Sequence, residues 1–142
     1  MADSSEIDAA LVATLANDPE LQVLLPDGVF FDEAPPNATR FVLCTLVDST
    51  DDRVFNARAI EHVTYRVTAR VLSSVPGGNI KAAAARIDAL LEGGTLTIPG
   101  YTLIAMYRDI TLPRVRLIEV DDVDPTVRWF HRGGHYHVSV SL

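Results

Sequence analysis

The longest strict alternation in the chain lies between Ile60 and Leu72. Val63, Tyr65, Val67, Ala69 and Val71 fall on one side, and His62, Thr64, Arg66, Thr68 and Arg70 on the other. A period of two over that length predicts a strand with one face buried and the other wet or shared. Pro76-Gly77-Gly78-Asn79 then turns the chain, and Asn79 is a natural helix cap. Ile80, Ala83, Ala84, Ile87, Leu90 and Leu91 recur at helical spacing, and Gly93-Gly94 supplies a left-handed stop. The alanines from Ala82 to Ala85 allow close approach to a sheet. A strand followed by a helix that covers its apolar face is the nucleus of a small α+β domain.

The flanking segments extend this pattern. Ile7, Leu11 and Leu15 recur every four residues after Ser5, which with Asp8 predicts a capping box and an amphipathic helix. Asp18-Pro19-Glu20 reads as a second start, with a cap, a proline at the first helical position and an acid in the first turn. Val29 to Phe31 predicts a short strand, and Asp32 to Arg40, with Pro35-Pro36-Asn37, a loop. The apolar run Phe41 to Val47 predicts a strand buried on both faces. Asp48 to Ala59 is polar apart from Phe55 and reads as a long loop, of the kind that often carries function. Thr95 to Ile98 and Tyr101 to Asp109 flank Pro99-Gly100 and predict a hairpin. Arg114 to Asp121 alternates again, Asp121 to Pro125 is a turn, and Gly133-Gly134 predicts a further break. Tyr136, Val138, Val140 and Leu142 predict a last strand. The sum is an α+β fold, with a mostly antiparallel sheet of five or six strands. It would be covered by the N-terminal helix and a second helix over about residues 79–92.

Composition narrows the class. At 142 residues the chain is most simply one domain, 1–142, large enough to bury a sizeable core. A net charge of −7 disfavours tight nucleic-acid binding, which draws on a basic surface to displace counterions. Of the 12 basic residues only Lys81 is lysine, and arginine suits planar contacts at interfaces. Cys44 is the single cysteine, so neither an internal disulfide nor a thiolate cage is available, and its apolar neighbours predict a buried thiol. The acidic start lacks the pattern of a signal peptide, and no apolar run approaches the roughly 20 residues that span a bilayer.

Candidate chemistry is sparse. His135 and His137 would share one face of the last strand, with His131 nearby, but without a known ligand spacing. Asp121, Asp122 and Asp124 lack the glycine and terminal glutamate of a calcium loop and read as a solvated turn. There is no nucleophile elbow, phosphate loop or dinucleotide fingerprint. No catalytic, cofactor-binding or metal-binding residue is assigned, and no cofactor is expected. Arg66 and Arg70 form a basic stripe on the outer face of the long strand, either exposed, neutralised by an acid such as Glu119, or lying between subunits.

The succession as a whole resembles the tail terminator, or tail-completion, proteins of long-tailed bacteriophages. The likeness runs from the helix "IDAALVATLANDPELQVLL" through "GVFFDEAPP" and "FVLCTLV" to "YRVTARVLS", "NIKAAAARIDALLEG" and the closing "HYHVSVSL". Val127 to Gly134 departs from the commonest pattern, being more basic and carrying Trp129. The resemblance implies a non-enzymatic virion protein that forms a six-membered ring at the head-proximal end of the tail tube. Such a ring ends tube polymerisation and offers a docking surface to the head connector, or stopper. The implied partners are other copies of the chain, the tube protein and the connector. DNA would pass through without specific binding, no membrane is involved, and assembly takes place in the host cytoplasm. Arg53, Phe55 and Arg58 in the 48–59 segment are the expected subunit anchors, because arginine and aromatics dominate buried contacts, with Arg66 and Arg70 as further candidates. The alternatives are another connector or tube component, and a small metal enzyme using the late histidines.

Overall fold

The computed structural model describes residues 4–54, 57–73 and 79–141. Three helices, α1 (Ser4–Ala16), α2 (Pro19–Leu24) and α3 (Ile80–Leu91), accompany six strands. These are β1 (Val29–Phe31), β2 (Arg40–Val54), β3 (Ala57–Leu72), β4 (Thr102–Arg108), β5 (Val115–Val120) and β6 (Arg128–Ser141). They form one sheet in the order β1-β2-β3-β6-β4, with β5 also paired to β6. Only β1 runs parallel to its neighbour. The architecture is α+β, as the alternation and helical periods predict.

The core lies between the helices and one face of this sheet. Val63, Tyr65, Val67, Ala69 and Val71 of β3 meet Tyr136, Val138 and Val140 of β6 there. Ile7, Leu11 and Leu15 of α1 and Ala83, Ile87 and Leu91 of α3 close over them. Cys44 is buried in the same layer, and burial pushes its thiol up to about 12. Two tyrosines tie helix to sheet: the Tyr65 hydroxyl donates to Asp8 Oδ1, and that of Tyr136 donates to Asp88 Oδ1 at 2.9 Å.

The helix starts follow their caps. Asp18 accepts the Leu21 N–H at 3.1 Å, and Asn79 accepts that of Ala82 at 3.0 Å. Asp18 also receives two bonds from Arg86, at 2.9 and 2.6 Å, which clasp the start of α2 to α3. Those bonds hold the Asp18 carboxyl below its ordinary range. Gly93 takes the left-handed stop at φ +69°. Ser5 differs from expectation. Helix α1 already includes Ser4, so Ser5 sits in its first turn, and Asp8 is turned toward Tyr65.

Four further sequence expectations are corrected. Residues 48–54 and 57–59 are strand and not loop: β2 and β3 pair from Asp48↔Thr64 out to Val54↔Ala57, with irregularities at Leu46/Asp48 and Asp52/Arg53. The expectation rested on apolar alternation, which vanishes where neither face of a hairpin is buried. For the same reason Phe41 to Cys44 are buried, whereas Leu46 and Val47 are 39% and 50% exposed, since β1 flanks β2 only from Val42 to Cys44. Thr95 to Ile98 forms no strand; Leu96 and Ile98 are buried in the core instead, and β4 pairs with β6. Gly133-Gly134 does not break the chain. Strand β6 runs straight through it, pairing with β5 over Arg128–Gly133 and with β4 over Tyr136–Ser141. The glycines mark the handover between those two partners.

Candidate functional site

The helices cover one face of the sheet, and the opposite face collects the unusual side chains. Register puts Arg70 between Phe41 and His131, Arg66 between Thr45 and His135, Thr64 between Asp48 and His137, and His62 between Thr50 and Ser139. All four histidines of the chain therefore share this face with Arg66 and Arg70. The loop after β1 shields one end of it, where Ala38, Phe41 and Leu43 pack with Phe30, Ala34 and Trp129. A cavity of about 350 Å³ opens there, with Arg70 and His131 among its lining and Glu119 and Asp122 at the β5 side.

This face is less wet than alternation alone suggests. Thr68 and His131 are 1% and 3% exposed. The Nε atoms of Arg66 and Arg70 and both ring nitrogens of His131 are buried without a hydrogen-bond partner. Glu119 Oε2 lies 3.5 Å from His131 Nε2, so the expected cross-strand acid is present. Burial, then the charge of Arg66, lowers the Arg70 pKa. Burial, then the charge of Arg70, lowers that of His131. Buried polar groups left without partners are costly, and a neighbouring surface that supplied acceptors would relieve them.

His62 and His137 form a second cluster. Their rings stack at 5.4 Å, and His62 Nδ1 and His137 Nε2 both lie 2.9 Å from Ser139 Oγ. His62 Nε2 is 2.9 Å from Asp52 Oδ2, and Tyr107 packs on His137 at 5.2 Å. Burial, then the His62 charge, lowers the His137 pKa. The three late histidines do alternate on one face of β6. Among the described residues, however, no group of three or more His, Cys, Asp or Glu comes together in a way that would hold a metal.

The depressed histidines carry a pH signature. His131 and His137 bind protons near pH 6.5 when unfolded and only at lower pH when folded, so the unfolded chain holds more protons in that window. Stability is therefore complete above about pH 6.5 and falls as the pH drops below it. The lowered carboxylates Asp18, Asp27, Asp109 and Asp124 act only below their ordinary value of 3.8. Urea melts at pH 7.5 and 5.5 should show a lower midpoint at 5.5. Equal midpoints would mean that these imidazoles accept protons freely in the fold.

Of the expected anchors, Arg66 and Arg70 share the helix-free face. Arg53 and Arg58 are paired across the hairpin by backbone register, but their side chains, and Phe55 altogether, lie outside the described residues. Sequence reading missed β5 as a surface. Leu117, Ile118 and Val120 are 41%, 60% and 53% exposed on a strand whose outer edge has no partner strand among the described residues. The signal was present: Leu117 stands on one side of the alternation, and Ile118 and Val120 on the other, so no single buried face can take them all. Among the described residues, the outer edges of β1, of β4 and of β2 beyond Cys44 are also without a partner strand.

The comparisons with known proteins fall on this fold. The family model of tail completion protein gp17 matches residues 9–141. The chain is similar to a protein chain in a structure described as the virion of a native gene transfer agent particle. That match has 18% identity and a TM-score of 0.66, over 98% of this chain and 97% of that one. A second solved structure, of a protein without a descriptive name, matches at 14% identity and a TM-score of 0.55, over 97% and 96% of the two chains. Nothing among the curated protein sequences matches.

Proposed function

The chain belongs to the tail completion protein gp17 family, which makes it a structural protein of a phage-type tail, and from that premise we propose that it closes the head-proximal end of the tail tube as a ring. The family match over residues 9–141 is the observation that carries this reading. The ring ends tube growth and gives the head connector a surface on which to dock. Six copies form it, as in the terminators that the sequence resembles.

The physics of the surfaces supports closure. A ring is built from heterologous contacts, in which two unlike patches of each subunit match one another head to tail. Bare strand edges are ready-made templates for such pairing. Among those of the described residues, two differ in composition: β5 is largely apolar and charge-balanced, with Arg116 and Glu119, whereas the distal part of β2 is acidic. The net charge of −7 suits a passage through which DNA moves without adhering.

Arg53, Phe55 and Arg58, in and around the connection between β2 and β3, supply further anchors, and Arg66 and Arg70 supply others on the helix-free face toward the opposite end of the hairpin. Changing Phe55→Ala and Arg58→Ala together should weaken assembly at least about 30-fold, the loss of a typical hot spot. The melting temperature of the monomer should stay within a few degrees of wild type. A large drop in that temperature would show that the tip belongs to the core and is not an assembly surface.

A further inference from the structure

A cleft on the helix side of the sheet concentrates positive charge in this acidic protein. It has a volume of about 460 Å³ and lies between α3 and the β5–β6 pair. Lys81, Arg108, Arg114, Arg116 and Arg132 line it, and Asp88 is the one acid among its lining residues. Asp88 is already engaged: it accepts from the Tyr136 hydroxyl at 2.9 Å and lies 3.8 Å from Arg108 Nη1. Among the described residues, no ion pair joins Lys81, Arg114, Arg116 or Arg132 to an acid. Four concentrated, unpaired cations repel one another, so the cleft favours an anionic occupant.

The surroundings favour protein over nucleic acid as that occupant. The cleft adjoins the bare edge of β5, where Ile118 and Val120 are 60% and 53% exposed. A phosphate-binding surface is dominated by polar and basic groups, whereas an apolar strand edge beside a basic cleft suits an acidic extended strand. The chain itself carries such a strand. Among the described residues no strand pairs with the outer edge of β2 beyond Cys44, a stretch that carries exposed Asp48 and Asp51, Asp52 bonded to His62, and exposed Leu46 and Val47.

We infer that the distal β2 segment of one subunit, Leu46 to Asp52, seats on the β5 edge and basic cleft of the next subunit. This rests on the ring reading above and adds the contact that would close the ring. Main-chain pairing would supply adhesion, and the Asp-to-Arg complementarity would set direction and exclude like-to-like pairing.

A charge exchange tests it. One variant carries Arg114→Glu and Arg116→Glu, and a second carries Asp48→Arg and Asp51→Arg. All four positions are exposed, so both variants should fold, which circular dichroism and melting will show. Each alone should lose ring formation by at least 10-fold in native mass spectra, whether free or on purified tail tubes. A 1:1 mixture should regain closed rings of alternating subunits, because each reversed cleft then meets a reversed hairpin and each native cleft a native one. Rings that still close in either variant alone, or that fail to return in the mixture, overturn this pairing while the ring reading stands. A wild type that closes no ring under either condition overturns both. Tight duplex DNA binding at physiological salt, lost in the Arg114→Glu and Arg116→Glu variant, reassigns the cleft to phosphate and overturns the pairing.

Discussion

Replacing Gly133 with alanine should destabilise the protein by about 3 kcal/mol or more, whereas the same change at Gly134 should be close to neutral. The two glycines are adjacent on β6 and differ in what a Cβ would meet. At Gly133 it would lie 2.0 Å from the Val67 carbonyl oxygen and 2.8 Å from Thr68 Cα, both backbone atoms of the central strand β3. Neither can swing aside as a side chain can, so β3 and β6 would have to separate where they hold the core together. At Gly134 the nearest atoms are Arg108 Cδ at 3.4 Å, Arg108 Cγ at 3.6 Å and Tyr136 Cε2 at 3.7 Å. That is ordinary contact, and alanine also reduces the freedom of the unfolded chain, a gain of up to about 1 kcal/mol. For a chain of this size the Gly133 variant should melt about 10 °C below wild type. Equal melting temperatures for the two variants would show that β3 and β6 do not approach one another as described.

Replacing residues 52–60 by a two-residue Asn-Gly turn should abolish ring assembly and leave the subunit folded. Asp51 and Glu61 face each other directly in the hairpin, so a tight turn of this type can join them without changing register. The change removes Arg53, Phe55 and Arg58 and spares the core residues from Val63 to Val71 and from Val42 to Cys44. Strand β6 pairs with β3 only as far as Ile60, so the excised tip contributes little to the shared sheet. Loss of the three proposed anchor side chains at once should move assembly beyond the reach of micromolar concentrations. Near wild-type melting with no assembly is the expected pair of results. Normal assembly would remove the tip from the interface, and an unfolded variant would place it in the core.

Elements whose two faces meet different surroundings were legible in the sequence. The β3 alternation named the core face correctly because helices cover one side and not the other. Asn79 and Asp18 announced their helices because a carboxylate or amide at that position satisfies an otherwise orphaned N–H. Elements defined by main-chain pairing alone were not legible. The distal hairpin carries Asp48 to Asp52 in a strand with little side-chain burial, so no period marks it. Gly133-Gly134 read as a break because glycine usually ends an element; here the close approach of the β3 backbone requires glycine at position 133. Leu96 and Ile98 alternate as a strand would, but they fill the core from an irregular segment.

The surfaces were harder still. Lys81, Arg108, Arg114, Arg116 and Arg132 come from four separate parts of the chain, and only the fold brings them to one cleft. The histidines show the same limit: their shared face on β6 was legible, whereas the burial of His131 beside Arg70 and the stacking of His137 on His62 come from the fold.

The proposed role rests on identical subunits closing on themselves at the end of a tube, and native mass spectrometry of the purified chain, with and without the tube protein, tests this most directly. The expected result is one closed species of fixed stoichiometry, formed alone or on the tube end, after which tubes stop lengthening. Open-ended filaments growing from the isolated protein, or tubes that lengthen unchecked in its presence, would contradict it.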